Sequence, residues 1–124
     1  MTQTATPPDI QARTFDFSLR ILKLCKHLER TPGMGKRLLS QLLRSGTSVG
    51  ANVEEAASSE SKAEFIYKRS ISLRECRETV YWLRLLAAAE LIKPRLVAPL
   101  ISEAQQIAAI LAKSIITTKK NLGK

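Results

Sequence analysis

An all-α fold, specifically an antiparallel up-down four-helix bundle, follows from three features of the 124-residue sequence. Apolar residues recur at steps of three and four through four segments, as on the buried face of a helix. Short breaks separate the segments, which favours antiparallel neighbours. No stretch alternates apolar and polar residues as a half-buried strand would. Leu, Ala, Lys, Arg and Glu, all good helix formers, are abundant, and aromatics make up only 5% of the chain. The length suits one domain with a real core.

Residues 1–9, Thr-rich with Pro7-Pro8, read as a disordered tail. A first helix is expected over Ile10–Glu29, with Phe15, Leu19, Leu22 and Leu28 as its apolar stripe, widened by Ile21, Leu24 and Cys25. Thr31-Pro32-Gly33 then turns the chain. A second helix, Lys36–Ala57, turns Leu38, Leu39, Leu42, Val49, Val53 and Ala56 inward. It also carries Gly46 and Gly50, each costing a helix roughly 1 kcal/mol relative to Ala, so close backbone approach is expected there.

Ser61-Lys62-Ala63-Glu64 has capping-box form and opens a third helix that runs to Leu91. Its stripe, Phe65, Arg69, Ser72, Cys76, Thr79, Leu83 and Leu86, is small in the middle and suits tight contact with the glycines of the second helix. Lys93-Pro94 ends it. A fourth helix, Pro94–Thr118, shows Val97, Leu100, Ile101, Ala104, Ile107, Ala108, Leu111 and Ile115 on one face. Pro99 falls in its first turn or so, where proline costs little. The bundle therefore spans residues 10–118, and 119–124 form a basic C-terminal tail.

The net charge is +9, and it is uneven. Residues 1–50 and 91–124 each carry a net +5, whereas 51–90 carry −1. A partner with negative charge, nucleic acid first, fits such a chain. Basic candidates for phosphate contacts are Arg20, Lys23, Lys26 and Arg30 on the first helix, Lys36 and Arg37 opening the second, and Lys119 and Lys120 in the tail. If the first two helices are antiparallel, Lys26, Arg30, Lys36 and Arg37 meet at one end. Point charges of this kind hold phosphates without reading sequence.

Ser48, Asn52 and Glu55 share one face of the second helix, and Lys68, Glu75, Glu78 and Trp82 lie on neighbouring faces of the third. With Arg44 they suggest a polar network, either inside one bundle or across a subunit boundary, since buried charges need partners. No nucleophile or oxyanion motif accompanies the carboxylates, so no enzyme, cofactor or metal centre is expected. One His and two Cys, outside any CxxC, are too few for Cys/His metal chemistry. Cys25 and Cys76 read as reduced, buried, small apolar residues. Neither a signal peptide nor a membrane span is visible, so a cytoplasmic location and no membrane partner are expected.

Three pieces of wording carry a resemblance: Arg44-Ser-Gly-Thr-Ser-Val-Gly-Ala-Asn-Val-Glu-Glu-Ala56, then Ser61-Lys-Ala-Glu-Phe-Ile-Tyr-Lys68, then Glu75-x-x-Glu78-x-x-x-Trp82-Leu83. With Phe15-Asp-Phe-Ser-Leu-Arg20 and the chain length, they resemble the bacterial four-helix-bundle proteins encoded in 23S rRNA intervening sequences. That resemblance implies a small cytosolic bundle assembled as a homopentameric ring. It also implies kinship with the accessory variability determinant of diversity-generating retroelements, a basic pentamer that binds nucleic acid and a reverse transcriptase. The function expected is therefore a non-enzymatic homo-oligomer that binds RNA or DNA with little sequence specificity. The alternative is a protein-interaction scaffold, a pentameric ring that docks a protein partner such as a nucleic-acid-processing enzyme.

Overall fold

The computed structural model of the chain describes residues 9–122. Within them four helices follow in order: α1 (Ile10–Leu28), α2 (Lys36–Ala57), α3 (Lys62–Ala88) and α4 (Pro94–Lys120). No strand occurs among the described residues. The expected N-terminal tail lies outside them except for Asp9, which is not tail but cap. Its carboxylate accepts the Ala12 N–H at 2.8 Å, satisfying a donor that the first turn leaves free. The cap at Ser61 forms, but the return bond of the expected capping box goes one residue further back. Ser61 Oγ accepts the Glu64 N–H at 3.0 Å, while the Glu64 carboxylate reaches back to the Glu60 N–H at 3.2 Å.

Three helix ends differ from the sequence reading, that of α1 by one residue, since Glu29 is its C-cap. α3 stops at Ala88 rather than Leu91 because Glu90 takes the left-handed conformation, φ 60°. The Leu91 N–H then donates to Leu86 O at 3.0 Å and the Glu90 N–H to Ala87 O at 3.1 Å, which closes the helix end as a Schellman turn. α4 continues to Lys120, so Lys119 and Lys120 form its last turn, where positive charge is favoured by the helix dipole.

Extensive contact joins α1 to α2, α2 to α3 and α3 to α4, with a lighter contact from α1 to α4. The helices thus occupy the corners of a square in chain order, and the α1–α2 and α3–α4 edges are opposite. Arg13 clasps the looser α1–α4 edge. Its Nε and Nη2 donate to the two Glu103 oxygens at 2.7 and 2.8 Å, and Nη2 also donates to Gln106 at 2.6 Å. Such two-point pairing of guanidinium and carboxylate fixes geometry as well as charge. Hydrogen bonding from Arg13 outweighs the opposing effect of burial and holds the Glu103 carboxyl below 4.5.

The apolar faces of α2 and α4 are those the spacing predicts, with Leu42, Val49, Val53, Leu100, Ile107 and Leu111 all in the core. α1 is rotated from its expectation. Its buried face is Thr14, Phe17, Ile21, Cys25 and Leu28, whereas Phe15, Leu19 and Leu22 are exposed. Two apolar stripes compete on this helix, and the one that includes a threonine lies inward. Thr14 Oγ1 can lie inside at little cost because it donates to Ile10 O at 2.8 Å.

The glycines of α2 explain the choice. A Cβ on Gly46 would stand 2.6 Å from Ile21 Cγ2, and one on Gly50 would stand 3.1 Å from both Thr14 O and Ser18 Oγ. Both glycines therefore face α1, not the small stripe of α3. That stripe meets α2 through Ser45 and Val49 instead. Ser72 Oγ donates to Val49 O at 2.7 Å, and Thr79 Oγ1 lies 3.0 Å from Ser45 Oγ. On the other side Cys76 Sγ donates to Ala104 O of α4 at 3.0 Å. Hydroxyls and a thiol inside the core are thus paired, as burial demands.

Gly46→Ala is expected to destabilise the bundle. Overpacking against the branched Ile21 costs typically 1–3 kcal/mol, and the gain in helix propensity returns about 1. The denaturant midpoint should fall by the equivalent of about 1 kcal/mol with the m-value unchanged. Glu103→Gln should lose about 1 kcal/mol at neutral pH. Because the folded carboxyl titrates below its unfolded value, its contribution is complete above 4.5 and disappears as the pH falls through the lower, folded value. Unfolding curves of wild type and variant should therefore converge in acid.

Candidate functional site

One end of the bundle collects the turns α1–α2 and α3–α4. They touch there: a Cβ on Gly33, which holds φ +85°, would meet the Leu91 side chain at 3.7 Å. Lys26, Arg30, Lys36 and Arg37 lie at this end and are exposed, as the antiparallel pairing of α1 and α2 requires. Lys93 and Arg95, not picked out from sequence, join them at the start of α4. Chain parity was the available signal, since an up-down bundle puts the second and fourth helix starts at the same end. Arg20 and Lys23 sit further down α1, Arg20 half-buried and Lys23 exposed.

Lys119 and Lys120 lie at the opposite end, beside the α2–α3 turn, where Lys62 Nζ donates to Asn121 O at 3.1 Å. α4 separates them from the first group by roughly 40 Å, at 1.5 Å per residue. The structure therefore brings together the cations of α1 and α2 but not the C-terminal lysines.

Backbone adds to the charge at the first end. α1 and α3 begin at the far end under side-chain caps, from Asp9 and Ser61. α2 and α4 begin at the basic end, after Gly35 and Lys93, with no side-chain cap and no acidic residue in the first turn. Free N–H groups at a helix start carry partial positive charge and favour an anion, more so at α2 than at α4, which opens on Pro94 and whose Leu96 N–H donates to Lys93 O at 2.9 Å. Glu29 and Glu90 are the acids at this end, and neither is in an ion pair among the described residues.

The polar network forms along the outer seam of α2 and α3, within one chain. Arg44 Nη1 donates to Glu75 at 2.8 Å, and Arg44 Nη2 donates to Glu78. Trp82 Nε1 donates to the same Glu78 oxygen at 2.9 Å. Burial raises the Glu78 carboxyl, but the Trp82 and Arg44 donors outweigh it and leave it below 4.5. Further along the seam Lys68 Nζ donates to Glu55 at 2.8 Å. Ser48 Oγ turns back to Arg44 O at 2.6 Å, and Asn52 Nδ2 to Ser48 O at 2.9 Å. Every member is satisfied locally, so the seam acts as a brace between two helices. Tyr81 stands edge-on to Trp82, with ring centres 5.1 Å apart.

Among the described residues no three His, Cys, Asp or Glu side chains are grouped to hold a metal ion. Among the same residues no helix is long and apolar enough to cross a membrane. Both cysteines are free and buried. Burial pushes the Cys25 thiol up to about 11 and the Cys76 thiol up to about 12.

Comparison with known proteins agrees with this architecture. A family model described as 23S rRNA-intervening sequence protein matches residues 8–113. A solved structure of a protein of unknown function from the S23 ribosomal protein family of Bacteroides thetaiotaomicron is 36% identical. It superposes with a TM-score of 0.82 over 86% of this chain and 98% of that one. No curated protein matches.

Since the thiolate is the reactive form, neither cysteine should be modified by an aromatic disulfide reagent at pH 8 in the folded protein. Both should react once denaturant unfolds the bundle. Titration of free thiols with and without denaturant checks this.

Proposed function

The chain belongs to the 23S rRNA-intervening sequence protein family, and from that premise we propose that it is a non-enzymatic, basic homo-oligomeric bundle that binds RNA or DNA through phosphates. Its location in this reading is the cytoplasm, and its assembly is the homopentamer that the family resemblance implies. A ring of five +9 chains would present the same basic end five times over. Association with a polyanion would then be steered by charge and weakened by salt.

One observation carries this reading above a merely soluble basic surface. Two helix starts without side-chain caps open at the same end as Lys26, Arg30, Lys36, Arg37, Lys93 and Arg95. None of these six cations is in an ion pair among the described residues. The acids that do have partners are Glu55, Glu75, Glu78 and Glu103, all served by other cations. Lys119 and Lys120 would add a second, weaker contact at the far end. Nothing in this arrangement reads base edges, so affinity should depend little on sequence.

Fluorescence anisotropy with single-stranded and structured RNA over a salt series tests the proposal. Binding should weaken steeply with salt. Replacing Lys26, Arg30, Lys36 and Arg37 by Glu should remove binding at physiological salt. If residual binding is measurable at low salt, its log–log salt slope should be shallower by roughly 3, at about 0.7 per lost phosphate contact. Lys119→Glu with Lys120→Glu should cost far less. Affinity that ignores salt, or survives the fourfold change, would overturn the assignment and direct the search to a protein partner.

A further inference from the structure

Of the exposed apolar side chains, which include Tyr67, Leu96 and Ile116, two groups sit beside grooves on opposite edges of the square. On the α1–α2 edge Phe15 is 68% exposed, and Leu22 is 43% exposed two turns along, with Leu19 between them. Beside this ridge lies a shallow, almost wholly apolar groove of about 240 Å³, lined by Ser18, Thr47, Gly50 and Ala51 and closed by Glu54. On the α3–α4 edge Tyr81, 54% exposed, and Leu85 face Pro94, Ala98 and Ile101 of α4 across a groove of about 490 Å³. Arg84 lines it. Contiguous apolar surfaces of this kind, rimmed by charge, mark sites of association.

We propose that the α1–α2 ridge of one copy seats in the α3–α4 groove of the next, a head-to-tail contact between two different faces of the same chain. This rests on the homo-oligomeric reading above and supplies the surfaces that would build it. Shape supports the pairing, since an aromatic knob on one edge is matched by an open, apolar-walled groove on the other. Charge supports it too. Glu54 and Asp16 flank the Phe15 end of the ridge and Lys23 its Leu22 end, whereas Arg84 and Arg77 flank the groove, and none of the five is in an ion pair among the described residues. Groove against groove would bring guanidiniums together, which repel, and ridge against ridge would leave the larger groove uncovered. Ridge into groove buries both apolar surfaces and sets the carboxylates of the Phe15 end against the arginines of the groove. A contact between unlike faces repeats until it closes a ring or continues as a filament.

The experiment uses two variants of the full chain. Phe15→Glu with Leu19→Glu blocks the ridge, and Leu85→Glu with Ala98→Glu blocks the groove. All four positions are exposed, so both variants should keep wild-type helicity and melting behaviour, checked by circular dichroism. By light scattering, wild type should be an oligomer, and each variant alone should be a single chain. Their equimolar mixture should stop at a dimer, because each partner retains one working face. In a second test Phe15→Cys with Ala98→Cys in one chain should give a ladder of cross-linked copies under mild oxidation, and neither single substitution should. A wild-type oligomer that persists in both variants would overturn these surfaces and leave the homo-oligomer standing. Monomeric variants that fail to pair when mixed, with no ladder, would overturn the head-to-tail contact. A wild-type monomer at every concentration would remove both readings.

Discussion

Close approach of α1 to α2 at Gly46 and Gly50 sets the rest of the structure. With no side chain at these two positions, Ile21 sits where a Cβ would be, and the Thr14 carbonyl nearly touches the α2 backbone. That contact fixes the rotation of α1. It turns Phe17, Ile21, Cys25 and Leu28 into the core and leaves Phe15, Leu19 and Leu22 outside. A helix that tolerates two glycines within five residues gives up about 2 kcal/mol of propensity, which dispersion and burial at the contact must offset. One local sacrifice thus decides both what the core contains and which apolar surface the molecule shows to others.

The sequence made three helix faces legible and concealed the fourth. In α2, α3 and α4 a single three-four stripe is continuous, and helical periodicity identifies it without ambiguity. α1 carries two such stripes. The one through Phe15, Leu19 and Leu22 is the outer surface, because the deciding term is the shape of α2 rather than hydrophobicity along α1. The glycines were readable as a close approach, but not as an approach to α1, since sequence spacing names a face and not its partner. Glu90 hid the end of α3 in a similar way. A glutamate gives no sign of the left-handed turn it adopts, whereas glycine at the same place would have signalled it.

The candidate site was partly legible for related reasons. Arg44, Glu75, Glu78 and Trp82 meet as their spacing suggested, because i, i+3 and i+4 neighbours on adjacent helices need only the right helix pairing. Clustering of Lys26, Arg30, Lys36 and Arg37 follows from a single tight turn. Lys93 and Arg95 required the whole topology, and the absence of caps at Gly35 and Lys93 required the structure itself. Sequence identifies cations readily, but it does not say which of them share an end of the molecule.

The buried hydroxyls and thiol of α3 have a mechanical consequence. Ser72 reaches the Val49 carbonyl on one neighbour, and Cys76 reaches the Ala104 carbonyl on the other. Greasy faces alone let helices slide past each other by a turn at modest cost, since one leucine replaces another. Hydrogen bonds aimed at particular carbonyls add to that cost, because a slip of 5.4 Å breaks both interhelical bonds and leaves the Ser72 hydroxyl only its own helix to turn to, as Thr14 does. α3 therefore works as a toothed rack that sets the heights of α2 and α4 against one another. The starts of these two helices are thereby set in register through α3, which ties the height of Lys36 to that of Lys93 at the basic end.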